Sequence, residues 1–241
     1  MQADSRFDPA GRRLTAQNTA DGQVAIATAK PLLRGWLHAG AAAGAIVVTI
    51  PLLVQTRHDF LRCVSLLVFG LSMVALYTAS AIYHIGTWQG RRRRVLRSLD
   101  HASIFVLIAG TYTPISVNVL CGSLRLAVLG VIWTLAIVGV TTAISALRLP
   151  RWGYTGLYVA MGWVALVPLP KLTQLLSWQP LALLVAGGVL YTIGAVIYGL
   201  RRPDPLPRIF GFHEVFHLFV IAGSVAFVTV VWIWVVPYPR A

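Results

Sequence analysis

Apolar residues run along this chain in long stretches separated by short polar segments. Seven of the stretches come near or exceed the ~20 residues that an α-helix needs to cross a hydrocarbon core. They fall at about 35–55, 62–85, 99–118, 125–147, 154–170, 180–200 and 212–236, with no internal repeat among them. The pattern predicts an all-α protein, a seven-transmembrane helix bundle occupying residues 35–236 as one domain. Residues 1–34 are polar and mixed in charge, without the apolar core of a secretory signal, and are expected to form a disordered tail. Residues 237–241 make a short end.

Composition agrees with the pattern and closes off alternatives. With 57% hydrophobic and 11% charged residues the chain is excluded from the soluble globular class. A net charge of +13 would suggest nucleic-acid binding in a soluble protein. Here the tail and the second, fourth and sixth loops hold 15 of the 20 Lys and Arg. That bias orients a membrane protein, predicts a cytoplasmic N-terminus with the C-terminus outside, and leaves no nucleic-acid partner to expect. Its strongest contributor, Arg91 to Arg94 with Arg97, reads as a topology anchor. Cys63 and Cys121 are too few for a disulfide framework and are expected to be separate thiols. Gly40 and Gly44 form a GxxxG pair that packing within the chain explains at least as well as dimerisation, and Pro114 is expected to kink or loosen the third span.

Ionisable groups at membrane depth are costly, so they are where function is sought first. With the predicted topology, His84, Asp100, His101, His213, Glu214 and His217 all lie near the cytoplasmic ends of their helices. His213 and His217 are one turn apart, which stacks them on one helix face and lets both imidazoles reach one metal. His84 is the natural third ligand, and three ligands plus an open position make a catalytic zinc site. Ser80 lies one turn before His84 on the same face, and Asp100 begins the neighbouring helix. A carboxylate and a hydroxyl there suit hydrolysis of an amide or ester, and a pocket among membrane helices favours a lipid-like substrate. His38, His58 and His101 read as ordinary interfacial histidines. Residues 213–217 also spell HEVFH, which matches the HExxH of zinc metalloproteases with Glu214 as the base.

The arrangement Ser80-x3-His84, then Asp100, then His213-x3-His217 resembles the hemolysin III and progestin/adipoQ receptor (PAQR) family. SAIYH, RRRRVLRSLDHASIFVLIAGTYTP and FHEVFHLFVIAGS look like its bacterial hemolysin III branch. The resemblance implies seven helices in a bacterial inner membrane and a zinc near the cytoplasmic face. By matching motif positions, His84, His213 and His217 would hold the zinc, with Ser80 and Asp100 catalytic or beside the metal. The same pattern resembles alkaline ceramidases, so the expected function is zinc-dependent hydrolysis of a lipid amide or ester. The alternative is a non-catalytic lipid sensor or receptor-like regulator with a structural zinc. An intramembrane metalloprotease and a pore-forming hemolysin are the remaining readings, the last against spans too apolar to line a water-filled conduit.

Overall fold

The computed structural model describes residue 31 and residues 33–145, 149–206 and 209–239. The expected tail, residues 1–34, lies almost wholly outside the described residues, as do Arg240 and Ala241. The described chain is helical throughout, with a single isolated bridge between Leu206 and Phe210 in place of any strand. In chain order the helices are α1 (Trp36–Thr56), α2 (Phe60–Ile85), α3 (Gly90–Asn118), α4 (Gly122–Ile144), α5 (Arg151–Gly162), α6 (Leu169–Leu175), α7 (Trp178–Leu200) and α8 (Phe212–Val230). A 3₁₀ turn, Trp163–Leu166, follows α5, and a π-helical turn, Val231–Val235, extends α8.

Five of these segments, α1, α2, α4, α7 and α8 with its π turn, are long and apolar enough to cross a membrane. A sixth is the pair of segments Arg151–Leu166 and Leu169–Leu175, bent by 46°. The protein is therefore a multi-span membrane-helix bundle with five, or with the bent pair six, spans recognisable by length and composition, short of the predicted seven. The remaining stretch, α3, has ample length at 29 residues. Its arginine-rich start and its Thr, Ser and Tyr residues hold it below the apolarity of the others.

Two boundaries differ from the sequence pattern. α3 begins at Gly90, nine residues before the apolar stretch at 99, because arginine is a good helix former and Arg91–Arg94 extend the helix beyond its apolar part. The stretch at 154–170 is broken rather than continuous. Pro168 and Pro170 have no N–H to give to a helix ladder, and the chain turns just before them. In contrast, α3 runs through Pro114 to Asn118 without interruption.

α3 sits between α2 and α4 and has buried residues along most of its length, from Asp100 to Asn118. Large apolar side chains such as Val47, Leu71, Leu126 and Ile137 instead point outward and are exposed, the belt that acyl chains cover. Glycine brings the helices close at their contacts. A Cβ on Gly70 would collide with Thr49 of α1, one on Gly110 with Ser72 of α2, and one on Gly139 with Phe105 of α3. Gly40 and Gly44 differ: among the described residues an added Cβ would meet nothing within 4 Å, so the GxxxG pair does not serve packing within the chain. We expect Gly110→Ala to lower stability by about 1–3 kcal/mol, the usual effect of overpacking, since Ser72 is itself tied to the Phe69 carbonyl at 2.7 Å. Thermal unfolding in detergent measures this, with Gly130→Ala, which has open space around it, as the neutral control.

α8 is fastened at both ends. At its start the Glu214 carboxylate accepts from the Gly211 N–H at 2.7 Å and from Arg34 Nε at 2.9 Å. Beyond its end, Arg62 of α2 donates to the carbonyls of Val236 and Tyr238 and to Asn118 Oδ1 of α3. Cys63 and Cys121 are both free thiols.

Candidate metal centre

The last turn of α2, the upper part of α3 and the first two turns of α8 meet at one end of the bundle. His84 comes from α2, and His213 and His217 stand one turn apart on α8 as their spacing predicted. His213 Nε2 and His84 Nε2 are 3.0 Å apart, and one ligand nitrogen from each of the three rings lies within 4.8 Å of the others. Asp100 Oδ2 stands 3.7 Å from His84 Nε2. Ser80, one turn below His84, lies beside the Asp100 carboxyl. The structure thus brings together all five residues that the sequence singled out.

The donor set fits a transition-metal cation of the kind imidazoles bind, zinc among them. Three imidazoles converge from two helices, and at least one of the two facing nitrogens of His84 and His213 has to carry a proton unless a cation lies between them. His217 Nδ1 is buried without a hydrogen-bond partner among the described residues, and so are both ring nitrogens of His38. An unpaired polar group in such a place costs about 1–3 kcal/mol, which binding of an ion or small polar molecule offsets.

His38 is the residue the sequence misjudged. It is 2% exposed rather than interfacial, and its ring stacks on His217 with centroids 3.6 Å apart and planes 15° from parallel. Tyr77 meets its ring from the side at 5.1 Å. A lone histidine on an apolar helix gives no local signal of a partner 179 residues away. His58 is exposed and accepts from Arg57, whereas His101 contacts the Arg97 carbonyl at 2.9 Å, stands 3.7 Å from Asp100 Oδ2 and borders the cavity described below, closer to the site than the sequence suggested. Glu214 has a different task from the one HExxH suggests. It is completely buried, with one carboxylate oxygen on Arg34 and the other capping α8 at Gly211. Each oxygen accepts a hydrogen bond that holds the chain in place, a structural task that the HExxH pattern does not foretell.

Beneath the histidines a cavity of about 200 Å³ opens into the bundle. Ser80, Asp100, His213 and His217 border one end of it, and Leu120 and Leu172 the other. α3 lines it from Asp100 to Ser116, about 24 Å of helix and most of the ~30 Å depth of a hydrocarbon core.

Membrane-length helices enclosing an elongated apolar cavity, with a three-histidine cluster at one end of which His213 and His217 border the cavity, define an integral, multi-pass membrane protein carrying a candidate metal centre. The chain belongs to the haemolysin-III related family, whose model matches residues 26–228. It is 37% identical over 197 residues to hemolysin-3 of Bacillus cereus, covering 79% of this chain and 87% of that one. To the hemolysin-3 homolog of Bacillus subtilis it is 35% identical over 163 residues, covering 68% and 73%. A plant relative, heptahelical transmembrane protein 5 of Arabidopsis thaliana, is 29% identical over 174 residues, covering 64% of this chain and 46% of its own length.

Proposed function

We propose that this chain is a zinc-holding membrane protein that senses or responds to a lipid-like molecule, with the metal joining α2 to α8 through His84, His213 and His217. The observation that carries the reading is the convergence of three imidazoles, one with an orphaned nitrogen, at one end of a cavity long enough for an acyl chain, which His213 and His217 border. In this reading α3 is a span shielded from lipid by its neighbours, giving seven, and the name of the heptahelical plant relative supports that count. Residues 35–236 are the transmembrane domain, residues 1–34 a cytoplasmic tail and residues 237–241 an outer end. The arginine bias supports this orientation, and the Bacillus relatives support a bacterial plasma membrane, an inner one where there are two. Elemental analysis of detergent-purified protein tests the core of the proposal: about one zinc per chain is expected, and no bound metal overturns it.

A second reading, hydrolysis of a lipid amide or ester, is favoured by one further observation, the placement of Asp100 and Ser80 beside the histidines on the cavity side. A zinc ion there supplies Lewis-acid chemistry, polarising a carbonyl and acidifying water. Asp100 Oδ2 is placed to accept a proton, and the Ser80 hydroxyl to orient the group being attacked. On this reading Asp100→Ala and Ser80→Ala keep their zinc and lose turnover of the lipid by about a hundredfold or more. Turnover that is unchanged in both variants leaves the sensor reading standing alone.

A further inference from the structure

Most polar side chains along the cavity use their O–H on a helix carbonyl. Thr111 donates to Leu107, Thr192 to Gly188 and Tyr112 to Gly162. Three hydroxyls half-way down the bundle behave differently. Tyr77 Oη of α2 donates to Ser224 Oγ of α8 at 2.5 Å, and Tyr191 Oη of α7 lies 2.8 Å from the same Oγ. Each hydroxyl has one proton to give. The Tyr77 proton goes to Ser224, and among the described residues Ser224 Oγ has no partner beyond these two tyrosines. Ser224 is buried and away from the cavity, so its own proton belongs on Tyr191 Oη, where leaving it unmade would be costly. The one proton left over is that of Tyr191, and Tyr191 is the member of the trio that borders the cavity. Its ring is also held firmly, since it packs on Gly223, where a Cβ would come within 2.5 Å of Cδ1 and Cε1.

We infer that Tyr191 is a recognition residue for an oxygen atom carried part-way along the chain of the cavity's occupant. The inference rests on the reading that the cavity holds a lipid with its head at the histidines. Ser224 follows His217 by seven residues, about 10.5 Å along α8. An extended chain gains roughly 1.2 Å per bond, one third of the rise per residue of a stretched peptide, so an occupant with its head at the cluster brings an atom about nine bonds along its chain to the level of Tyr191. The class of ligand selected is a long acyl chain bearing a hydroxyl or ketone near its tenth carbon. A plain hydrocarbon chain leaves the Tyr191 donor unmatched.

Equilibrium binding of octadecanoic acid and of its 4-, 10- and 16-hydroxy derivatives to the full chain, purified in detergent with zinc added, decides the matter. The 10-hydroxy acid is expected to bind roughly three- to tenfold more tightly than octadecanoic acid, the effect of one hydrogen bond, with no such gain for the other isomers. In Tyr191→Phe the difference between the 10-hydroxy acid and octadecanoic acid disappears, since no donor is left to be matched by one or left unmatched by the other. Equal affinities across the series in the wild type, or a preference that persists in Tyr191→Phe, overturns the inference and leaves the lipid chamber intact. If Tyr191→Phe does not fold, the positional series in the wild type decides alone. Failure of every acid to bind removes the chamber reading, and the role of Tyr191 with it.

Discussion

His217→Ala is expected to lose its zinc and to melt well below the wild type, by more than the truncated side chain accounts for. Removing a buried side chain of this size costs about 2–5 kcal/mol through lost packing and the cavity left behind. Here the ring is 1% exposed, stacks on His38 and contacts His84 and His213, so the upper part of that range applies. Loss of the metal adds a separate contribution, about 4 kcal/mol when free zinc stands a thousandfold above its dissociation constant. A chelator separates the two: it should lower the melting temperature of the wild type and leave that of His217→Ala where it is. The packing contribution alone remains if the wild type does not respond to the chelator, and the metal clasp is then wrong.

Glu214→Ala should be the second most damaging change, and damaging to stability rather than to the metal. It leaves Arg34 facing a buried site without its carboxylate and the Gly211 N–H without its cap. Breaking a buried ion pair from one side costs about 3–5 kcal/mol; Arg34 keeps 23% of its side-chain surface, which puts the expectation near the lower figure. Zinc stoichiometry should stay at the wild-type level because Glu214 is not one of the three groups that converge as metal ligands. Pairing the change with Arg34→Met should recover much of the loss, since no charge is then left unpaired. If Glu214→Ala instead melts like the wild type and only a peptide-cleaving activity is lost, the metalloprotease reading returns.

The parts of this structure that were legible in the sequence are those set by one-dimensional spacing. Apolar stretches gave the helices, and the four-residue interval between His213 and His217 gave a shared face that the fold retains. Counting loops placed His84 at the same end. What was not legible depends on contacts between distant segments. Nothing local tells that His38 packs on His217, or that Arg34 reaches across to Glu214 and takes the one residue that made HEVFH look like a protease motif. The break before α6 was hidden for a different reason: Val164 to Leu169 is apolar on both sides of it, so hydropathy stays high where the backbone turns. In α3 the error was the reverse, because charge marked Arg91–Arg94 as a loop although arginine carries a helix well.

The fastening of α8 has a consequence for how the protein is made. Ribosomes deliver the chain from its N-terminus, so His84 enters the membrane while the helix bearing the other two imidazoles is still unsynthesised, 129 residues behind. An inserted chain truncated before residue 212 holds a single one of the three donors and no cap or clamp from α8. In the proposed zinc protein, metal uptake is therefore a terminal step of biogenesis. Radioactive zinc retained on nascent chains arrested at successive lengths should appear abruptly once α8 has emerged, making the ion a marker of a completed bundle.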